Sequence, residues 1–164
     1  MKPEYKRIRD MIQQLTNSNK QLRDVEPTSD TEKENIDQQI LANQERKKRA
    51  ELEKIELQKQ ELKEDLTHFI KNNYGLLRKL GLIKSQAHYS YEVLGRCRTY
   101  FNTVITEDRT PPLNMLSRIS ETITQYIQLY EMENGDMHIA HLLQEQLTRC
   151  NQLIGKYINQ IMIR

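Results

Sequence analysis

The side chains that could carry out chemistry are few in this sequence and lie far apart. His138 and His141 are three residues apart, so a helix would place them on one face, near Asp136. Two ligands of this kind form only a fragment of a metal site. The paired Glu-x-x-His motifs of helical di-metal enzymes do not occur in the sequence. We therefore predict no metal and no other cofactor.

The sequence also lacks the local motifs of common catalytic sites. It contains no Gly-x-Ser-x-Gly elbow, no P-loop and no Gly-x-Gly-x-x-Gly fingerprint. Its two cysteines, Cys97 and Cys150, have no close-spaced partner, so neither a disulfide framework nor a zinc cluster is indicated. Both fall at inward positions of an apolar repeat, where a free thiol packs as a small apolar side chain. We predict no enzyme activity, no catalytic residue and two buried thiols.

Composition and charge favour thin helical cores. Apolar residues make up 37% of the chain, below the fraction of about 45–50% in ordinary globular domains. The net charge of +2 is too small to indicate a general polyanion binder. Its sign alternates, however, with net charges of +3, −4, +4 and −1 on residues 1–24, 25–69, 70–110 and 111–164. Blocks of opposite sign favour defined pairing between helices, although salt screens them.

Any functional residue must be positioned by helices, and one apolar repeat dominates them. Residues 52–104 carry apolar side chains at alternating steps of three and four, which is typical of a supercoiled helix. We expect one continuous helix here, with a break at residues 72–75 as the alternative. Lys59 and Asn73 interrupt the repeat and would specify the pairing register at a cost in stability. The predicted coiled-coil seam consists of Leu52, Ile55, Leu62, Leu66, Phe69, Leu76, Leu80 and Ile83.

Breaks in the apolar pattern divide the chain into four predicted segments. These are an N-terminal amphipathic helix (residues 1–24), a hinge (25–30), a coiled-coil stalk (31–69) and a helical bundle head (70–164). Pro27 disfavours helix in the hinge. Beyond residue 70 the apolar face widens, and two further helices follow, so three helices are expected to pack together. The predicted fold is all-α: an elongated coiled coil with a C-terminal antiparallel bundle, the three-helix head.

The first helix carries a single apolar stripe. Such a stripe is too narrow to be stable alone in water, so it must dock either on the long helix or on a partner chain. We take it as a candidate partner-docking stripe that would lie in a partner's groove. Its residues are Tyr5, Ile8, Ile12, Leu15 and Leu22.

Two basic clusters are candidates for phosphate contacts. Residues 46–49 are all basic; an exposed helix face is the favoured interpretation, with a nuclear-import signal or a phosphate contact as alternatives. Residues 76–96 resemble a weak helix-turn-helix with Gly81 at the turn, and Lys84, Arg96 and Arg98 would then add phosphate contacts. The repeat passes Gly81 without a change of phase, which favours a continuous helix instead. The candidate phosphate contacts are Arg46, Lys47, Lys48, Arg49, Arg78 and Lys79.

These patterns together predict a non-catalytic interaction protein. We expect an adaptor or scaffold subunit of a larger assembly, forming a homodimer or heterodimer with a protein partner through the coiled coil. Two alternatives stay open: a DNA-binding regulator dimerised by the coil, in which nucleic acid is the less favoured partner, and a secretion or assembly chaperone. The charged N-terminus has no apolar signal core and no run is long enough to span a bilayer. We therefore expect an intracellular protein, cytoplasmic or nuclear, without membrane insertion.

Overall fold

The computed structural model describes residues 2–106, 110–134 and 136–162. Within these ranges every regular element is helical and no β-strand occurs, so the predicted all-α class is confirmed. The six α-helices are α1 (Pro3–Arg23), α2 (Asp30–Lys79), α3 (Gln86–His88), α4 (Tyr100–Thr106), α5 (Leu113–Leu129) and α6 (Met137–Met162). Two π-helical segments, Tyr89–Val93 and Tyr130–Asn134, continue α3 and α5. The chain divides into two compact units, Met1–Lys59 and Gln60–Arg164.

The unit Met1–Lys59 contains α1 and the part of α2 up to residue 59. Pro3 lies in the first turn of α1, where its missing N–H costs nothing. Residues 24–29 connect the helices, and α1 lies against α2: Arg7 pairs with Glu53 at 3.2 Å. The small core of this unit includes Ile8 and Ala50, both almost fully buried.

The start of α2 is capped by its own sequence. Ser29 Oγ accepts a hydrogen bond from the Glu32 backbone N–H at 3.3 Å, as expected of a capping residue. The Glu32 carboxylate accepts bonds from the Thr28 hydroxyl (2.5 Å) and the Thr28 backbone N–H (2.8 Å). These bonds lower the pKa of Glu32. A helix begins here because the unpaired N–H groups of its first turn find acceptors nearby.

The unit Gln60–Arg164 has a larger core, to which each of its helical segments except the three-residue α3 contributes. Residues of α2, α5 and α6 form most of it, and the connecting segment supplies Tyr89, Leu94 and Phe101. At the start of α6, Asp136 Oδ1 acts as a cap by accepting the Ile139 backbone N–H at 3.2 Å. Asp65 of α2 pairs with Lys156 of α6 at 2.6 Å. This unit therefore buries its apolar residues among several helices rather than along a single seam.

The prediction of one continuous helix through residues 52–104 is wrong. Helix α2 ends at Lys79, and a turn follows in which Gly81 has φ +75°. The alternative break at residues 72–75 is also wrong, because those residues lie inside α2. The part of this predicted helix that lies in the head, residues 70–104, contains instead the end of α2, α3, a π-helical segment and the start of α4. Glycine allows the turn because the left-handed region costs it nothing.

Candidate functional site

A groove lined by basic side chains lies in the unit Gln60–Arg164, and we call it the basic groove. It has a volume of about 460 Å³ and is bordered by the end of α2, the residues before and within α3, and the start of α4. Arg78, Lys84 and Arg98 line it with cationic groups. Its other polar lining comes from Ser85, Gln86, Thr99 and Asn102. Hydroxyl, amide and cationic groups together form a lining suited to an anion with several oxygen atoms.

An aromatic cluster joins the elements that border this groove. The Tyr74 ring lies 4.8 Å from that of Phe101 and 5.5 Å from that of Tyr89, centroid to centroid. Tyr89 and Phe101 meet edge to face at 5.5 Å. The three rings belong to α2, the first π-helical segment and α4. Aromatic pairs at these distances contribute packing energy beyond their buried area, so the cluster holds the groove's walls together.

Buried hydrogen bonds fix the same region. The Tyr89 hydroxyl donates to Asn73 Oδ1 at 2.8 Å, and burial raises the pKa of Tyr89 well above its ordinary value. Ser90 Oγ accepts from the Phe101 backbone N–H at 3.0 Å and donates to the Gln86 carbonyl at 2.9 Å. Buried hydrogen bonds of this kind rigidify the segment that carries them.

The residues that follow the turn are also held in place. Ser85 Oγ caps α3 by accepting the His88 backbone N–H at 3.2 Å. The backbone N–H of Lys84 donates to His88 Nδ1 at 3.1 Å. These two bonds fix the backbone from which the Lys84 side chain extends along the groove.

The charged side chains that line the groove are all cationic. No carboxylate lines it among the described residues, and within those residues none lies within ion-pair distance of Arg78, Lys84 or Arg98. All three cations are exposed. Arg78 donates to the Tyr74 hydroxyl at 3.0 Å, which orients its guanidinium without neutralising it. Among the residues that the structure describes, the groove therefore keeps three exposed positive charges without an ion-pair partner.

The predicted phosphate contacts are divided between several places. Arg78 lies in the basic groove, whereas Lys79 is exposed outside it. In the unit Met1–Lys59, Arg46 and Arg49 line a second cavity of about 500 Å³ together with residues of α1. Lys47 is half-buried and Lys48 is exposed.

The helix-turn-helix alternative adds three further cations. Two of them, Lys84 and Arg98, line the basic groove. The third, Arg96, is engaged elsewhere: it donates to Asn114 Oδ1 at 3.0 Å and its guanidinium carbon lies 5.6 Å from the Tyr100 ring centre. The charge of +4 on residues 70–110 pointed to this region but could not say which cations share a groove.

The predicted docking stripe of α1 lies within the unit Met1–Lys59. Ile8 is fully buried, and Tyr5, Ile12, Leu15 and Leu22 are half-buried. Leu15 and Met11 line the second cavity together with Ala50 and Asn43 of α2. In this structure the stripe of α1 packs against the long helix α2. Docking of its half-exposed residues on a partner chain stays a prediction.

The predicted coiled-coil seam is divided by burial. Leu62, Leu66, Phe69 and Ile83 are buried in the core of the unit Gln60–Arg164, so their apolar surface is covered within the chain. Leu76 and Leu80 are half-buried there. In the other unit Ile55 is half-buried and Leu52 is 58% exposed. A pairing surface for another chain can therefore include Leu52, but not the four buried residues.

Histidines and cysteines form no reactive cluster in the described part of the chain. Within those residues no group of three or more His, Cys, Asp or Glu side chains could hold a metal ion. His141 lies 3.7 Å from Glu145 on the exposed side of α6. Cys150 is buried as predicted, and burial raises its pKa to about 12. The prediction for Cys97 is wrong, because this thiol is exposed in the segment that follows the first π-helical segment.

One family model matches most of the larger unit. The sequence model described as a family of unknown function (DUF6626) matches residues 70–162, more than half of the chain. The chain belongs to this family. The matched residues include the basic groove and lie within the unit Gln60–Arg164.

Two other comparisons give no further relative. No curated protein and no solved structure matches the chain. Among the described residues no helix has the length and apolar content needed to cross a membrane.

Proposed function

We propose that this chain is a non-catalytic interaction protein, an adaptor or scaffold subunit that pairs through the outward face of α2. The observation that carries the proposal is a pair of exposed leucines on that helix. Leu41 and Leu52 are each 58% exposed in the unit Met1–Lys59. They are eleven residues apart, close to three helical turns of about 3.6 residues each, so they share one face. The buried Ala50 lies on the α1 side of the helix, away from this face.

The charges beside these leucines favour a second copy of the chain as the partner. Glu45 follows Leu41 by four residues, and Lys48 precedes Leu52 by four. Glu34 precedes Leu41 by seven residues, and Lys59 follows Leu52 by seven. All four charged residues are exposed. Glutamates thus lie four and seven residues from Leu41, and lysines lie at mirrored spacing from Leu52, where Lys59 also pairs with Glu56 of the same helix at 2.8 Å.

This mirrored order suits antiparallel pairing of two copies. Leu41 of each copy would lie opposite Leu52 of the other, with Glu34 opposite Lys59. Glu45 would likewise lie opposite Lys48. A parallel pair would instead place each glutamate opposite its own counterpart, which is repulsive. Asp37 and Glu56 would face each other in the antiparallel register at the exposed flank, where solvent screens their repulsion.

The test is the mass of the purified chain by light scattering across a range of concentrations. We expect a concentration-dependent rise from 19.6 kDa toward twice that value, because two leucines per copy bury little area and the dimer should be weak. Leu41→Lys with Leu52→Lys should leave a folded monomer. The control, Asn35→Lys with Gln39→Lys, adds the same charge at exposed polar positions of α2 turned away from this face and should still dimerise.

A charge swap tests the register. Glu34→Lys with Glu45→Lys should weaken the antiparallel dimer by placing lysine opposite lysine, and adding Lys48→Glu with Lys59→Glu should restore it. Each exposed pair contributes about 0.2–1 kcal/mol, so the four pairs of a dimer give a measurable shift at low salt. A wild-type chain that stays monomeric at all concentrations contradicts self-pairing. A single co-purifying client in stoichiometric amount would favour the chaperone alternative.

A further inference from the structure

We propose that the basic groove binds the phosphodiester backbone of a nucleic acid without reading its base sequence. The groove lies in a different unit from the pairing face of α2, so this inference does not depend on dimerisation. It rests on the three cations of the groove, the polar groups between them and the fixed geometry of its walls.

The cations match a ligand with repeated negative charges. Arg78 comes from α2, Lys84 from the turn before α3, and Arg98 from the segment before α4. A ligand in the groove therefore meets a positive charge from each of the three segments that border it. A phosphodiester chain supplies negative charge at regular intervals, and its neutralisation by Lys and Arg releases counterions.

The polar lining supplies the remaining contacts. Gln86 and Asn102 carry amide donors, and Thr99 carries a hydroxyl, all on exposed residues of the groove. Such groups, together with Lys and Arg, make most protein contacts with phosphate and sugar. Apolar lining is confined to Ala87 and the Tyr74 ring, and that ring already packs on Tyr89 and Phe101. A lipid headgroup or a phosphorylated side chain presents one phosphate, whereas a phosphodiester chain can present one to each of the three cations, which favours nucleic acid over a membrane or a phosphopeptide.

The helical segment after the turn is unsuited to sequence readout. A recognition helix must project side chains from one face into the major groove. Residues 86–93 form only eight helical residues, and Tyr89, Ser90 and Val93 among them are buried in the core. We therefore expect contacts to the backbone rather than to base edges.

Fluorescence anisotropy with a fluorescein-labelled DNA duplex of random sequence tests the proposal on the full chain. We expect a dissociation constant in the non-specific range of about 10⁻⁴–10⁻⁶ M. The logarithm of the association constant should fall with the logarithm of salt with a slope of about −2.7, because each of three neutralised phosphates contributes about 0.9. Raising salt from about 50 to about 200 mM should then weaken binding roughly 40-fold.

Two variants and one control locate the contacts. Arg78→Gln with Lys84→Gln and Arg98→Gln should abolish binding. Lys84→Gln with Arg98→Gln keeps the Arg78 contact to Tyr74 and should reduce the slope to about −0.9. The matched control is Lys20→Gln with Lys33→Gln and Lys54→Gln, which removes the same charge at exposed positions of the unit Met1–Lys59 and should bind as the wild type does. Circular dichroism checks that each variant is folded.

Three results would overturn the proposal. The first is the absence of any anisotropy change at low salt. The second is an equal loss of binding in the control variant, since net charge rather than the groove would then be responsible. The third is binding of a phosphopeptide or of phosphatidylserine vesicles, but not of the duplex, that the groove variants abolish.

Discussion

Tyr89 and Asn73 form a fully buried side-chain hydrogen bond in the unit Gln60–Arg164. Both residues are fully buried, and 2.8 Å separates the Tyr89 hydroxyl from Asn73 Oδ1. Asn73 Nδ2 has no hydrogen-bond partner in the described structure. A buried polar group without a partner is costly, so the contact that Asn73 does make matters more than an exposed one would.

Replacing Tyr89 with Phe should destabilise the protein by about 1–3 kcal/mol, because the Asn73 carbonyl oxygen loses its donor in a buried site. Adding Asn73→Leu removes the polar group left unpaired, so the double variant should be more stable than Tyr89→Phe alone. Denaturant unfolding followed by circular dichroism measures both. If the loss of unfolding free energy in the double variant instead equals the sum of the losses measured for Tyr89→Phe and Asn73→Leu separately, the two residues are not coupled.

At the scale of the element, the helix α2 ends in a turn that contains a glycine in the left-handed conformation. The apolar repeat passes residue 81 without a phase change, yet the helix ends at Lys79 and Gly81 adopts φ +75°. Side chains on both sides of the turn, including Leu77 and Ile83, pack into the same core. Apolar spacing reports which side chains are buried, but a chain that reverses direction can bury them at the same spacing as a straight helix.

Two glycines allow this element to be tested with opposite expected signs. Gly81→Ala should destabilise by about 1–2 kcal/mol, because a Cβ disfavours the left-handed region. Gly75 lies inside α2, and no atom is within 4 Å of the position where its Cβ would be. Gly75→Ala should therefore stabilise by about 0.5–1 kcal/mol. Thermal unfolding measures the stability of both variants. Equal changes in stability would contradict a left-handed turn at Gly81.

At the scale of the whole molecule, residues of the same apolar repeat are buried in one unit and exposed in the other. Leu66 is fully buried in the core of the unit Gln60–Arg164, whereas Leu52, in the same predicted seam, is 58% exposed in the other unit. The matched family region, residues 70–162, falls within the unit that has the larger core. The repeat therefore builds an internal core in one unit and leaves apolar surface in the other.

This division predicts unequal effects of the same substitution. Leu66→Ala should cost about 2–5 kcal/mol of unfolding free energy, because it removes buried methyl groups and leaves a cavity. Leu52→Ala should change the stability of the monomer by less than about 0.5 kcal/mol. Unfolding at low protein concentration measures both without a contribution from pairing. Similar losses at the two positions would mean that Leu52 is covered within the monomer.

The sequence by itself determined the all-α class. This feature is local, because helix periodicity depends on side chains a few residues apart. The sequence also identified the seam residues as apolar surface that some neighbour must cover.

Only the tertiary structure decided which neighbour that is. The turn at Gly81, the exposure of Cys97 and the meeting of Arg78 with Lys84 and Arg98 depend on where the chain reverses. Reversal is governed by packing between residues distant in sequence, such as Asn73 with Tyr89 or Asp65 with Lys156. The spacing of apolar residues does not say where the chain turns. It therefore predicts which side chains are buried without predicting which segment covers them.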